Sequence, residues 1–575
     1  YAHEEFIEPT GVFVKEQTLY IADRIAKKVF LMDMGTKEII QTITKPISPI
    51  FGQQNDFVPL KVAVDSSNSI YIIGEGSTSG VIQVNFAGEF IGYLGINTVP
   101  LSLRKILYNL FVKDSDLVGN RPPSPTNIAL GSKGSILTTN INVYETFKRL
   151  NITGVNTLSG TTVYPNVVFT DIWMNEENYI YMVSDKGEIF EYDSNGHMLF
   201  TFNAGSQGIR QTLGLVFKPT GIATDDLGNL YVLDAGTNTF IQVYQRTVFV
   251  DLVHEAVTLF NDGKYLESKD LWVEILRQNS SFALAHSALG YALAKEGNYD
   301  EALQEFYDAK DYKGYSDTYW QIRNQAIQEN LTTWVLALIG LVVFLKVFNK
   351  VVKKTPVYDS YVDIKKKIMD KKTSQEVLYS LNVIKQPHEM FFGIKRMNKA
   401  SYKSGFIVWG LFLLVYLINI YGTGFLFRDA RLNNVLIELV TIVAIFALYV
   451  VVNYLVSTLN DGEGRFKDVF IASSYVLVPF ILFTLPMTLI SHVLTYNEAF
   501  IFDFYHQIIL IWTILLIIMS ISGIHNYRFL ETFKNILIII FGMFILILLG
   551  LLIYAFMGQL IEFISSLVKE VIYRV

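Results

Sequence analysis

The stretch Lys218–Tyr244, KPTGIATDDLGNLYVLDAGTNTFIQVY, decides how the first half of the chain is read. It runs through a Thr-Gly entry, an alternating strand, a polar turn, a Leu-Tyr-Val-x-Asp strand, a second turn and a third strand. Pro9–Asp33, PTGVFVKEQTLYIADRIAKKVFLMD, has the same parts in the same order. Pro59–Asn85 is a related unit, and Ser124–Asn140 and Phe169–Asp193 are weaker copies. The equivalent positions are Gly11, Lys61, Asn127, Asp171 and Gly221, spaced 50, 66, 44 and 50. A period of 40–50 residues with alternating strands suits four-stranded propeller blades. The 66 holds an inserted stretch, Leu101–Val112, that reads as helix.

The Leu-Tyr-x-x-Asp elements (Leu19, Tyr20, Asp23; Leu230, Tyr231, Asp234) make residues 1–249 resemble the NHL-type β-propeller family. Period-2 alternation gives them a physical reason, since apolar residues then face neighbouring blades. Five blades are visible, or six if the chain is truncated. The last blade lacks an outer strand before helix begins near Val250, and residues 1–8 are expected to supply it. Some propellers of this type are enzymes with histidine-rich metal sites in the channel. Only His3 and His197 are on offer here, so no metal site, cofactor or catalytic residue is expected. Asp23, Asp185 and Asp234 at strand ends read as turn caps.

A helical unit follows over 250–330. Gly263-x-Tyr265-x-x-Ser268-x-x-x-Trp272 recurs as Gly297-x-Tyr299-x-x-Ala302-x-x-x-Phe306, every offset being 34. The period and these small and aromatic positions, with Ala285, Gly290 and Ala292, resemble the tetratricopeptide repeat. The small residues let paired helices approach, and the aromatics fill the groove. Two repeats are fewer than such units need alone. The unit is therefore expected to pack on the propeller or on the helix Asp317–Asn330, as a spacer or as a partner groove.

Composition agrees with a split molecule. The 575 residues are 51% hydrophobic and 17% charged, with a mean hydropathy of +0.33; a soluble chain carries about 25% charged residues. Residues 1–330 hold 25 Lys/Arg against 38 Asp/Glu, a net of −13, and the remainder holds 22 against 15, a net of +7. An acidic front half argues against nucleic acid as a partner. With no cysteine there is no disulfide framework and no thiol chemistry.

Leu331–Phe348 is apolar over 18 residues except for Lys346, close to the ~20 a membrane-crossing helix needs. Five further runs, Gly405–Tyr421, Val435–Thr458, Phe470–Val493, Gln507–Ile524 and Ile536–Met557, bring the expectation to about six spans. The loops on one face carry 17 basic residues and those on the other carry four, namely Arg428, Arg431, Lys569 and Arg574. The positive-inside rule makes the first face cytoplasmic. The expected layout is an extracellular propeller (1–249), a helical unit (250–330), a first span (331–349), a basic cytoplasmic linker (350–386), a five-span domain (387–557) and an amphipathic C-terminal helix (558–575). The chain starts at Tyr1, and removal of a signal peptide is expected for an exported front half.

Residues 387–556 resemble the YIP family of polytopic membrane domains. The resemblance rests on the entry PHEMFFGIKRMNKASYKSG from Pro387, the loop LNDGEGRFKDVFIASSYVLVPFI with Tyr475 and Pro479, and the later His525-Asn526-Tyr527. In that loop Asp461, Gly462 and Gly464 form the turn, where positive φ is expected. Pro479 and Pro486 are expected to kink the fourth span. Glu438 and His492 are placed at the outer ends of spans and Asp503 and His506 in an outer loop, so no charge falls at the midplane.

The resulting expectation is a non-catalytic accessory subunit in a bacterial cell membrane. It would present the propeller and repeats to a membrane-protein complex. By analogy of fold, that complex is a carbohydrate ABC-type importer, with its permease and solute-binding protein, or the glycan itself. The alternatives are a transporter or channel formed by the spans, and an extracellular hydrolase or lyase.

Overall fold

The computed structural model describes residues 5–52, 55–77, 79–97, 122–131, 134–141, 146–158, 167–205, 213–236, 239–352, 370–428 and 434–574. The expected helix at 101–112 and most of the basic linker lie outside these residues. Two compact units divide the chain, 1–295 and 296–575.

The first unit holds five antiparallel meanders. Their strands are β1 (Pro9–Lys15), β2 (Thr18–Asp23), β3 (Lys28–Asp33) and β4 (Ile39–Ile43); β5 (Pro59–Val64), β6 (Ile70–Gly74), β7 (Val81–Val84) and β8 (Phe90–Leu94); β9 (Pro125–Leu130), β10 (Ile136–Asn140) and β11 (Phe147–Leu150); β12 (Phe169–Met174), β13 (Ile180–Ser184), β14 (Glu188–Tyr192) and β15 (Met198–Asn203); and β16 (Pro219–Thr224), β17 (Leu230–Ala235) and β18 (Thr239–Tyr244). These are the five blades that the spacing implied. The middle strands of the second and fourth blades are apolar on both faces because these blades lie between two others: β6 and β13 are buried throughout, whereas β17 of the last blade leaves Leu233 exposed. Residues 5–8 do not complete the last blade. Ile7 and Glu8 donate their backbone N–H groups to the Asp23 carboxylate, and Phe6 packs on Phe30 at 5.2 Å, all within the first blade. The turn-cap reading of Asp23 and Asp234 holds: Asp23 also accepts from Ala26 N, and Asp234 accepts from Phe217 N and Lys218 N.

Three helices complete this unit: α1 (Val248–Asn261), α2 (Tyr265–Gln278) and α3 (Ala283–Glu296). Thr247 caps α1 through its side chain. The helices share one core with the last two blades, in which Tyr179, Ile189 and Val232 meet Val253, Ala256, Trp272 and Ala288. The helical unit thus borrows the propeller's edge for the apolar cover that two repeats cannot supply alone.

The second unit contains α4 (Tyr299–Ala309), the 41-residue α5 (Tyr312–Val352), α6 (Lys372–Tyr379), α7 (Asn382–Lys385), α8 (Pro387–Met397), α9 (Tyr402–Gly422), α10 (Val435–Leu459), α11 (Phe466–Tyr475), α12 (Val478–Ile490), α13 (Ala499–His525) and α14 (Phe529–Arg574). Among the described residues, six helical stretches are long and apolar enough to cross a membrane. They coincide with the six apolar runs. α5 and α14 present large apolar side chains outward, such as Leu336, Phe344, Phe541 and Leu552, as a lipid-facing helix does. The last helix runs unbroken through 557, so the C-terminal stretch continues the final span rather than forming a separate element. Asp503 and His506 lie in the first turns of α13, not in a loop, because helix already starts at Ala499.

Candidate functional site

In the propeller, the five equivalent inner-strand positions come together. Register shifts fall between Pro9 and Gly11, Pro59 and Lys61, Pro125 and Asn127, Phe169 and Asp171, and Pro219 and Gly221, the same place in all five blades. Each is a bulge, which bends the strand and re-aims its side chains. Lys61 Nζ reaches Asp171 Oδ1 at 3.0 Å from a non-adjacent blade, a contact that must cross the propeller axis. Asp171 Oδ2 also accepts from Ile222 N at 3.1 Å, and Asn127 Nδ2 donates to Phe169 O. Gly11 supplies no side chain for a steric reason: a Cβ there would lie 2.8 Å from Lys61 Cα. The axis is therefore occupied by a cation–carboxylate pair and an amide.

Where α1 meets the propeller lies a second polar cluster. His254 Nε2 is 2.5 Å from Glu191 Oε1, and Arg246 Nη1 is 3.3 Å from His254 Nδ1. Arg246 can only donate, so the network places the imidazole proton on Nε2, facing the carboxylate. Tyr179 stacks on the ring at 3.8 Å, and Tyr181 donates its hydroxyl to Glu191. Burial pushes the Tyr179 hydroxyl up to about 12, and burial with the Glu191 charge pushes Tyr181 further up. Among the repeat positions, Trp272 and Phe306 are fully buried. Tyr265 stacks on Tyr291 at 5.6 Å, and Tyr299 opens α4. Gly263 and Gly297 serve differently from the close approach expected. A Cβ on either would meet nothing within 4 Å, and both adopt positive φ (+77° and +85°) in the turns before α2 and α4.

In the second unit, α4 and α5 dock on loops between the later spans. The Phe425 ring lies 4.7 Å from Tyr307, 4.7 Å from Tyr312 and 5.0 Å from Tyr315. Arg323 pairs with Glu498 and donates to Val493 O, while Tyr496 N donates to Ser316 Oγ at 2.9 Å. Nothing in the repeat pattern signalled Phe425, Arg323 or Glu498; they are single residues whose partners lie more than 100 positions away.

At the opposite ends of the spans lies the turn 459–466. Asp461 has the expected positive φ, +56°, but Gly462 and Gly464 do not. The glycines answer to crowding instead. A Cβ on Gly462 would lie 2.6 Å from the Tyr527 hydroxyl and 2.7 Å from Ser457 O, and one on Gly464 2.8 Å from the His525 ring. Tyr527 donates to Ser457 O and Asn460 O at 3.0 Å. Glu463 binds Lys395 at 2.6 Å, Arg396 at 2.8 Å and Asn526 at 3.1 Å. Those partners, Lys395 first, hold its carboxyl below the usual range. Two motifs quoted separately from the sequence, LNDGEGR and His525-Asn526-Tyr527, thus form one cluster, clamped by α8. The fourth span is broken between Tyr475 and Val478, where Pro479 opens α12; Pro486 sits inside α12.

Residues 381–554 match the Yip1 domain family model. No curated protein matches the chain. Among solved structures, the chain is similar to virginiamycin B lyase from Staphylococcus aureus (14% identity, 41% of this chain and 70% of that one, TM-score 0.27). It is also similar to a protein of unknown function from Bacteroides caccae (15%, 38% and 69%, TM-score 0.23) and to YCF48 bound to D1 peptide (10%, 42% and 67%, TM-score 0.25). Likenesses this distant say nothing of substrate or activity. The chain joins a five-bladed β-propeller to a membrane-capable helical region that carries a Yip1 domain.

Proposed function

We propose that this protein is a non-catalytic accessory subunit of a membrane complex, holding an extracellular propeller and tetratricopeptide-like helices out to partner proteins. The single observation that carries the reading is the Lys61–Asp171 pair on the propeller axis. An NHL-type propeller that worked as a hydrolase or lyase would gather carboxylates and histidines there. Here a lysine ammonium fills the place beside the one carboxylate, and the remaining positions are Asn127 and two glycines. An ammonium 3.0 Å from a carboxylate competes directly with any metal cation for that ligand.

The helical joint fits the same role. Phe425 in its tyrosine cage and the Arg323–Glu498 pair tie α4 and α5 to the span-connecting loops, as a display stalk requires. The membrane region offers little to a transporter reading. Ser473 and Ser474 spend their hydroxyls on carbonyls of their own helix, and Asn453, Ser457 and Asn535 bond one another at one end of the spans. A carbohydrate ABC-type importer is the partner complex we propose, its solute-binding protein or glycan meeting the propeller.

The test is purification of the tagged full chain in mild detergent, followed by mass spectrometry of co-eluting proteins. Importer subunits in stoichiometric yield support the role; a chain that elutes alone, or turns over a substrate, overturns it. Topology is tested separately. The chain has no cysteine, so single cysteines at Ser66 and Lys534 report sidedness cleanly. An impermeant maleimide should label the first and not the second in intact cells.

A further inference from the structure

At the basic end of the membrane domain, between α10, α13 and α14, lies a cavity of about 440 Å³. That is within the ~300–1,000 Å³ range of small-ligand sites. Its lining is acidic: Asp461, Glu463 and Glu531 face it against a single Lys534. Glu463 is already engaged by Lys395 and Arg396, and Glu531 Oε2 accepts from Arg528 N at 2.8 Å, which leaves Asp461 and the other Glu531 oxygen to a guest. Leu459 and Ile538, both exposed residues of membrane-spanning helices, complete an apolar wall.

An independent observation points to a ligand. His525 lines the same cavity, is only 1% exposed, and has no hydrogen-bond partner at either ring nitrogen. The neighbouring polar groups are committed elsewhere. The Tyr527 hydroxyl donates to Ser457 O and Asn460 O, and Asn526 Nδ2 to Glu463. A buried polar atom left unpaired costs about 1–3 kcal/mol, and a neutral imidazole has one of each kind, a donor and an acceptor. Gly462 and Gly464 keep the ring's flank free of side chains, since a Cβ on either would lie 2.8 Å from Nδ1.

We propose that this cavity binds a zwitterionic phosphoethanolamine headgroup. Its primary ammonium donates to Asp461, Glu531 and the acceptor nitrogen of His525. Its phosphate accepts from the His525 N–H and from Lys534. One guest thereby satisfies both ring nitrogens, and the Leu459–Ile538 wall takes the start of the glycerol and acyl chains. A purely anionic headgroup would meet two uncompensated carboxylates, and a quaternary ammonium has no N–H to donate.

The full chain in detergent micelles, doped in turn with phosphatidylethanolamine, phosphatidylglycerol or phosphatidylcholine at equal mole fraction, tests this through the thermal unfolding midpoint. Phosphatidylethanolamine should raise the midpoint by a few degrees, as a ligand binding only the folded state does, and the other two should not. Soluble phosphoethanolamine tells a lipid source from a free one: a matching shift assigns recognition to the headgroup alone, and no shift assigns it to the membrane lipid. Asp461→Asn with Glu531→Gln should abolish the phosphatidylethanolamine shift. Should the double variant fold poorly, Asp461→Asn alone decides, because asparagine accepts the left-handed backbone there. An equal shift with phosphatidylglycerol or phosphatidylcholine, or a shift that survives the substitutions, overturns the proposal. None of these outcomes depends on the partner complex, so this site and the accessory role stand or fall apart.

Discussion

Lys61 and Asp171 are paired at 3.0 Å across 110 residues of chain, from the inner strands of the second and fourth blades. Both sit at the third position of a Pro/Phe-x-x bulge, and the pair is partly shielded, at 24% and 17% side-chain exposure. Such a pair is worth about 1 kcal/mol. Its larger effect is geometric, because it ties blades that share no strand pairing.

A double-mutant cycle measures this. Lys61→Ala should cost less than Asp171→Ala, because Asp171 also holds Ile222 N and so links the fourth and fifth blades. The coupling read from chemical denaturation of the four proteins should be about 1 kcal/mol. A coupling near zero would mean that the axis is held by the strands alone.

The His254–Glu191 contact fixes α1 to the propeller, so its loss should loosen that junction first. Glu191→Ala removes an acceptor shared by His254 and Tyr181. Losing charged hydrogen bonds of this kind costs about 1.5–3 kcal/mol each. The expected result is a lower unfolding midpoint and early proteolytic cleavage near 246–262, with Glu191→Gln milder than Glu191→Ala.

Gly462 offers a steric test. Gly462→Ala puts a methyl group 2.7 Å from the backbone oxygen of Ser457, an atom that cannot rotate away. Overpacking of this kind costs about 1–3 kcal/mol. Gly410→Ala is the control: it lies exposed in α9 with nothing within 4 Å, and the helix should gain up to about 1 kcal/mol. Melting the two variants in one detergent should move their midpoints in opposite directions.

What could be read from the sequence followed from periodicity. The five blades, the six spans and the Trp272/Phe306 equivalence each repeat a pattern, and a repeat announces its own register. What escaped were contacts made once. The positive φ at Asp461 was legible from turn chemistry. The crowding at Gly462 was not, because it depends on where Tyr527, 65 residues later, lays its hydroxyl. The functions assigned to Gly263 and Gly462 came out exchanged for this reason: the first needs the backbone angle, the second the space. Lys61 and Asp171 are equivalent positions of the repeat, yet equivalence in sequence does not disclose that the second and fourth blades bring them within 3.0 Å of each other.

Phe425 tests the joint. Three tyrosines surround it, and aromatic pairs contribute about 0.5–1.5 kcal/mol each beyond buried area. Phe425→Ala should leave the membrane domain folded while raising protease sensitivity between Asp311 and Arg323. Phe425→Leu, which keeps bulk but no ring, should fall between the two. Equal protection in all three proteins would assign the joint to Arg323–Glu498 alone.

The Glu463 clamp predicts an acid-sensitive turn, with a sign that follows from its direction of shift. Lys395, Asn526 and Arg396 hold the folded-state carboxyl below its ordinary value, which is about 4.3 in an unstructured chain. A depressed carboxylate contributes stability that is fully present above that value and is lost as pH falls through the lower, folded one. Wild type should therefore lose stability below about pH 4.3, and Glu463→Gln should be less stable at neutral pH but flatter across the same window. Because the group is open to solvent, the difference should also shrink in high salt, where exposed ion pairs are screened. A pH profile unchanged by Glu463→Gln would show that Lys395 and Arg396 find other acceptors when α8 packs against the turn.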